Sequence, residues 1–181
     1  LERVTDHLAD PPSWLPRQRF WTLRARSTIL ATGALERHIA FGNNDRPGVM
    51  TANAGRAYLN RFAVQPGENI VVATNNDSAY ASASDLASSG ARVVVLDSRS
   101  SVPGTLQSLC EAGDIQLRLD SAPAKALGGK TVAGLQLAQR QGGGWQSSDR
   151  IDCDLILVSG GWSPVVNLFS HRGVKPIWNS E

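Results

Sequence analysis

The stretch Glu68–Ser98, ENIVVATNNDSAYASASDLASSGARVVVLDS, decides the fold of this 181-residue chain. An apolar run over Ile70–Thr74 predicts a buried strand, and the helix-permissive segment Ser78–Ser88 follows after a short polar turn. A second apolar run covers Arg92–Leu96 and predicts another buried strand. The order strand, helix, strand is typical of a βαβ unit with parallel strands.

The turn after the first strand lacks the glycines of a dinucleotide-binding site. The fingerprint G-x-G-x-x-G/A allows a tight turn and close approach of a pyrophosphate, with an acidic residue about 20 positions further on. On that spacing the three slots hold Thr74, Asn76 and Ala79, and the acid is Asp97. Asn76 places a side chain where phosphate should lie, and Asp77 adds a carboxylate at the helix N-terminus, where phosphate would meet like charge. We expect the fold to be kept and the ligand site to be lost.

The same residues also have a purely structural interpretation. Asp77 or Ser78 is predicted to cap the helix by accepting backbone N–H bonds. Asp97 is expected to be an acid at a strand end that faces solvent, and a remnant of a ribose-binding acid is the alternative.

The segments before the βαβ unit predict short strands, a linker and a helix. Residues 1–18 are polar and broken by prolines, which predicts a helix end and a loop. Two strands are predicted over Phe20–Ala25 and Ser27–Ala31, and residues 34–50 form a linker with two turn signals. Thr51 is the predicted N-cap of a helix that continues to about Phe62, with its apolar stripe formed by Ala54, Tyr58 and Phe62.

The segments after the unit predict one more helix, a third parallel strand, a β-meander and a final core strand. In chain order these are a helix from Pro103 to about Glu111, strands over Ile115–Leu119, Ala122–Leu127 and Thr131–Arg140, a strand from Trp145, and a buried strand over Ile151–Val158. The predicted fold class is therefore α/β, a Rossmann-like parallel sheet with a β-meander crossover.

Composition and charge exclude several classes of function. The chain is 41% apolar and 19% charged with a net charge of +2, which is ordinary for a soluble globular protein, and it has no basic run that favours nucleic acid. No apolar stretch is long enough to span a membrane. Cys110 and Cys153 lie far apart, which argues against a redox disulfide or a zinc site, and we expect a reducing, cytoplasmic compartment. Cys153 precedes an apolar run and is predicted to be a buried thiol. The histidines have no metal-ligand spacing, and no catalytic residue or metal site is predicted.

The chain begins at Leu1 in mid-pattern and ends at Glu181 without a closing element, so we interpret it as a piece of a longer polypeptide. The run Ile29–Gly33, ILATG, resembles the closing strand of the first dinucleotide domain in flavoproteins of the glutathione reductase class. Asp154–Phe169, DLILVSGGWSPVVNLF, looks like the matching exit strand of the second domain. The resemblance adds edge strands of a neighbouring dinucleotide domain to the expected fold, and it implies burial of Trp162 where the two domains meet.

A closer resemblance is to the α subunit of heterotetrameric sarcosine oxidase. It is carried by ATGALERHIAFGNNDRPGVM (residues 31–50), TNNDSAY (residues 74–80) and CDLILVSGGWSPVVNLFSH (residues 153–171). The resemblance implies an oxidoreductase that demethylates sarcosine to glycine, reduces O₂ to H₂O₂ and passes a one-carbon unit to tetrahydrofolate. It implies FAD in the β subunit, FMN between the α and β subunits, NAD in the first domain of the α subunit, and further γ and δ subunits.

The resemblance also divides the chain into parts. Residues 1–47 would complete the first dinucleotide domain and a linker, residues 48–165 the second domain, and residues 166–181 a return segment toward the first. Only Thr32 and Gly33 are expected to touch NAD in the intact subunit, and the isolated chain is expected to be inactive and to bind no cofactor tightly. The alternatives are a subunit of a related amine, opine, proline or cyanide-forming glycine dehydrogenase, a free-standing NAD(P)-dependent oxidoreductase, and an interaction module with a relic fold.

Overall fold

A computed structural model of the chain describes residues 1–171, 173 and 175–177, so the predicted return segment 166–181 lies partly outside the described residues. Contacts divide these residues into two compact units. The larger is Gly33–Val165, and the smaller comprises Leu1–Thr32 and the described residues from Val166 onward.

Short strands, one long β-meander and four helices make up the described chain. The strands are β1 Glu2–Arg3, β2 Gln18–Arg19, β3 Ala34–Glu36, β4 Val49–Thr51, β5 Asn69–Thr74, β6 Arg92–Asp97, β7 Gln116–Arg118, β8 Ser121–Leu127, β9 Gly134–Gln141, β10 Gly144–Ile151, β11 Leu155–Ser159 and β12 Trp162–Pro164. The helices are α1 Ala52–Phe62, α2 Ser78–Ser88, α3 Gly104–Ala112 and α4 Asn167–Ser170.

A five-stranded parallel sheet in the order β4-β11-β5-β6-β7 forms the centre of the larger unit. Alternate residues of its strands enter two separate apolar cores, as the pleat of a strand requires. Ile70 and Val72 pack with residues of the helices on one face, whereas Val71 and Ala73 pack with Leu135 and other meander residues on the opposite face. Because both faces are covered, β5 and β11 are continuous apolar runs.

The predicted βαβ unit is confirmed almost residue for residue, and α3, the third parallel strand and the meander form in the predicted order, with β9 beginning at Gly134 rather than Thr131. Strands β8, β9 and β10 pair antiparallel and carry the chain from β7 to β11. The result is the predicted α/β, Rossmann-like sheet with a β-meander crossover.

Helix α1 begins and ends as predicted, but its buried face is different. Thr51 Oγ1 accepts a hydrogen bond from the Ala54 amide at 3.4 Å, which confirms the N-cap. The predicted stripe of Tyr58 and Phe62 is wrong, since their side chains are 47% and 61% exposed. The buried face is centred on Gly55, where an added Cβ would lie 2.9 Å from the Leu157 side chain. Helix and sheet approach so closely there that only glycine fits.

The strands predicted over Phe20–Ala25 and Ser27–Ala31 do not form. Gln18–Arg19 pairs with β1, and no strand follows before β3. Leu23 and Ile29 are 84% and 91% exposed. The alternating pattern is present, but a strand needs a neighbour to satisfy its backbone groups, and the described chain provides none for these residues.

Three other boundaries also differ from the predictions. The helix end expected within residues 1–18 is absent, because β1 and β2 pair there, and the linker over residues 34–50 contains β3 and β4. Ile151 ends β10, and the core strand begins only at Leu155. Asp154 lies between the two strands, and its carboxylate accepts hydrogen bonds from the amides of Glu68 and Asn69.

Both cysteines are buried free thiols, which confirms the predicted burial of Cys153. Burial, together with the nearby carboxylates of Asp154 and Asp152, raises the pKa of the Cys153 thiol to about 12. No helix among the described residues has the length and apolar character needed to cross a membrane.

Candidate functional site

The candidate site lies at the carboxyl end of the parallel sheet, where β5 stands between β11 and β6. The chain order reverses at this point, and open α/β sheets bind their ligands in the crevice that such a reversal creates. Three segments meet here: the turn after β5, the residues that end β6, and the residues that follow β11.

The Asn76 side chain spans the crevice between β5 and β11. Its Nδ2 donates to the Ser159 carbonyl oxygen at 3.0 Å and to Ser159 Oγ at 3.2 Å. Its Oδ1 accepts from the Ser78 amide at 3.1 Å and from Ser78 Oγ at 2.5 Å. The prediction that Asn76 fills the place of a phosphate is consistent with this geometry, because the side chain uses the helix amide that an anion would use.

Asn76, rather than Asp77 or Ser78, supplies the side-chain oxygen that caps α2. Asp77 stands at the N-cap position but makes no capping bond through its side chain. Its carboxylate instead accepts from Arg99 Nη1 at 2.7 Å. The predicted cap was therefore wrong by one residue, since the arginine that follows β6 competes successfully for the Asp77 carboxylate.

Asp97 is fully buried, which contradicts the expectation that it faces solvent. Its carboxylate accepts from Tyr80 Oη at 2.9 Å, from the Arg99 amide at 2.9 Å and from Arg99 Nη2 at 2.8 Å. The residue that would bind a ribose hydroxyl in a dinucleotide site is thus bound by the chain itself.

The Asp97 carboxylate shifts the pKa values of the two side chains that donate to it. Burial, followed by the hydrogen bond to Asp97, raises the pKa of the Tyr80 phenol, so Tyr80 stays a donor. The hydrogen bond to Asp97 raises the pKa of the Arg99 guanidinium, and its bond to Asp77 adds to that effect. Two carboxylates and one guanidinium leave the cluster with a formal charge of −1, which repels a phosphate.

Trp162 lies over the start of α2 and is 38% exposed in this chain, so its burial at a domain junction of the intact subunit stays a prediction. Its Nε1 donates to Ser78 Oγ at 2.7 Å. The indole therefore occupies part of the space at the N-terminus of α2, where a pyrophosphate would bind.

Sequence reasoning missed Tyr80, Arg99 and Ser159, which hold the acid and the asparagine in place. A basic residue two positions after the acid that ends a strand was the available signal for Arg99. The described residues contain no cluster of histidine, cysteine and acidic side chains suited to a metal ion.

Thr32 and Gly33 do not take part in this cluster. The division between the two units passes between them. Gly33 has a φ of +68°, an added Cβ there would meet no atom within 4 Å, and its carbonyl accepts from the Val165 amide at 3.0 Å. That these two residues contact NAD stays a prediction.

No family model matches the sequence. The chain is 38% identical to sarcosine oxidase subunit alpha of Rhizobium meliloti (strain 1021) over 100% of its length, and 40% identical to the subunit of the same name from Corynebacterium sp. (strain P-1) over 99%. Its homologues are sarcosine oxidase α subunits. The chain spans only 17% and 19% of the length of these two relatives.

Solved structures show the same fold at low sequence identity. Thioredoxin reductase of T. acidophilum superposes with a TM-score of 0.64 and 14% identity, covering 80% of this chain and 47% of that one. Lactococcus lactis thioredoxin reductase gives a TM-score of 0.60 and 20% identity, covering 80% and 47%. The fold is therefore shared with reductases, while the relatives of this chain in sequence are sarcosine oxidase α subunits.

Proposed function

We propose that this chain is a structural, nucleotide-free domain of a sarcosine oxidase-type α subunit. The observation that carries the proposal is the burial of Asp97 under Arg99 and Tyr80, in the position of the ribose-binding acid. Asn76 closes the adjoining crevice through Ser159. A dinucleotide would have to displace all of these groups, and the residues present do not fit one.

The activity of the whole enzyme is a further part of the proposal. It would be the flavin-dependent oxidative demethylation of sarcosine to glycine, with O₂ reduced to H₂O₂ and the one-carbon unit passed to tetrahydrofolate. FAD, FMN and NAD would lie elsewhere in a complex of α, β, γ and δ subunits. Similarity to named α subunits over the whole of this chain supports the proposal.

We also propose the division into residues 1–47, 48–165 and 166–181, with Thr32 and Gly33 touching NAD in the intact subunit. The compact unit that contains the parallel sheet supports a separate second domain. The left-handed, unobstructed backbone at Gly33 supports a place where a cofactor can approach the chain closely.

Isothermal titration calorimetry tests the proposed loss of nucleotide binding. NAD⁺, NADP⁺ and FAD are titrated in turn into the 181-residue chain, and the expected result is no saturable heat with any of them up to ~1 mM. A micromolar dissociation constant for NAD⁺ or NADP⁺ would overturn the proposal. The same sample, given sarcosine, FAD and FMN, is expected to form no H₂O₂, since the catalytic site is proposed to lie elsewhere.

A further inference from the structure

We propose that the antiparallel ribbon β3–β12 is a fixed strap. It connects the N-terminus of α1 to the N-terminus of α2 at the carboxyl edge of the parallel sheet. Two side chains of the ribbon, Glu36 and Trp162, make the contacts to the helices. The inference goes beyond the proposed function and does not depend on which enzyme the chain belongs to.

The ribbon is too short to be stable alone. Three residue pairs form it, Trp162 with Glu36, Ser163 with Leu35, and Pro164 with Ala34. A two-stranded ribbon is marginal in water even when it is longer. Its persistence therefore requires contacts outside the ribbon.

Glu36 provides the first of these contacts. Its Oε2 accepts from the Asn53 amide at 2.8 Å, at the first turn of α1. That turn contains no acidic residue of its own. Glu36 therefore supplies, from another element, the carboxylate that a helix N-terminus favours.

Trp162 provides the second contact, through Nε1 to Ser78 Oγ at 2.7 Å. Ser78 Oγ in turn donates to Asn76 Oδ1, and Asn76 Nδ2 donates to the Ser159 carbonyl oxygen. A continuous path of hydrogen bonds thus runs from the ribbon through the start of α2 to the end of β11.

Both contacts come from one cross-strand pair. Trp162 and Glu36 are directly opposite each other, so their side chains project from the same face of the ribbon. The other face carries Leu35, which is 69% exposed. One face of the ribbon therefore contacts the helices. A substitution on the other face, at Leu35, provides a matched control.

The strap lies next to both points where the chain passes between the two compact units. The chain passes from one compact unit to the other between Thr32 and Gly33 and again between Val165 and Val166, immediately beside β3 and β12. Fastening the ribbon fixes both of these crossing points on the sheet of the larger unit.

Hydrogen–deuterium exchange of the 181-residue chain without nucleotide tests the strap. The reporters are the amides of Arg37 and Val165, which donate to the carbonyls of Gly161 and Gly33 at the two ends of the ribbon. Glu36→Val and Trp162→Phe each remove one contact and are expected to speed exchange about fivefold, the factor for a typical net hydrogen bond, and about 25-fold together. Leu35→Thr, on the opposite face, is expected to change exchange less than twofold.

Wild-type exchange at the rate of an unstructured peptide, or no acceleration in the double variant, would overturn the strap. If the double variant also loses protection in β5, Ser78→Ala decides. It removes the acceptor of the Trp162 bond and the Oγ bond to Asn76, but it keeps the bond from the Ser78 amide to Asn76 Oδ1, and it is expected to give the fivefold effect at Arg37 and Val165. Nucleotide binding is not measured here, so failure of the strap is distinguishable from failure of the proposed function.

Discussion

At the level of single residues, the candidate site is organised around one buried carboxylate. Asp97 receives hydrogen bonds from Tyr80 and from both the amide and the guanidinium of Arg99. A buried charge is stable only when it is paired and hydrogen-bonded. Arg99 therefore supplies the hydrogen bonds and the positive charge that stabilise the Asp97 carboxylate away from solvent.

Replacing Arg99 with methionine tests this dependence. We expect Arg99→Met to lower the free energy of unfolding by about 3 kcal/mol, the lower end of the range for a broken buried pair, because about a third of the Arg99 side chain is exposed. Arg118→Met is the matched control, since the Asp149 partner of Arg118 is 76% exposed, and we expect a loss below about 1 kcal/mol. Urea denaturation measures both, and equal losses would contradict the account.

Asp85 gives a prediction about pH. Partial burial opposes its ionisation, but hydrogen bonds from Arg56 and Asn60 and the charge of Arg56 outweigh burial, so the pKa of Asp85 is lowered on folding. The stability that Asp85 contributes is therefore present above its unfolded pKa, about 3.9, and is lost as pH falls through the folded value. We expect Asp85→Asn to destabilise the chain at pH 7 and progressively less below pH 4. Urea denaturation at both pH values measures the difference, and a constant gap would contradict the assignment.

Spacing found Asn76 and Asp97 because the fingerprint fixes their distance along the chain. It could not find their partners in the same way. Ser159 reaches Asn76 only because β11 pairs with β5 after a long meander. The burial of Asp97 likewise depends on Tyr80 and Arg99, which belong to neighbouring elements.

At the level of elements, the sequence predicted where α1 begins and ends, but it did not predict which face of α1 is buried. Thr51 marked the start of α1, but its buried face depends on how closely the sheet approaches at Gly55. The unformed strands between Phe20 and Ala31 illustrate the same limit, because pairing depends on a neighbour that a local pattern does not specify.

Gly55 offers the test at this scale. Gly55→Val would push a branched side chain into Leu157, which is fully buried, and we expect a loss of about 1–3 kcal/mol. Arg61→Val introduces the same side chain on the exposed face of the same helix, so we expect a change within about 0.5 kcal/mol. Thermal unfolding followed by circular dichroism compares the two, and a more damaging Arg61→Val would show that the face of α1 is wrongly assigned.

At the level of the whole molecule, the chain combines a reductase-type fold with a crevice that its own side chains occupy. The fold is shared with thioredoxin reductases, and the relatives in sequence are sarcosine oxidase α subunits. Fold and function separate readily, because function resides in the site rather than in the sheet that carries it. We infer that the sheet has been kept as a scaffold and that its ligand site has been filled by side chains of the chain.

The most direct test is an NMR titration of the ¹⁵N-labelled chain with NAD⁺. If the crevice is closed, the amide signals of Asn76, Ser78 and Arg99 will stay unchanged up to ~1 mM NAD⁺, a range that detects binding free energies near −4 kcal/mol. Saturable shifts concentrated on those three amides would contradict the account, because they would show that a dinucleotide still enters the crevice.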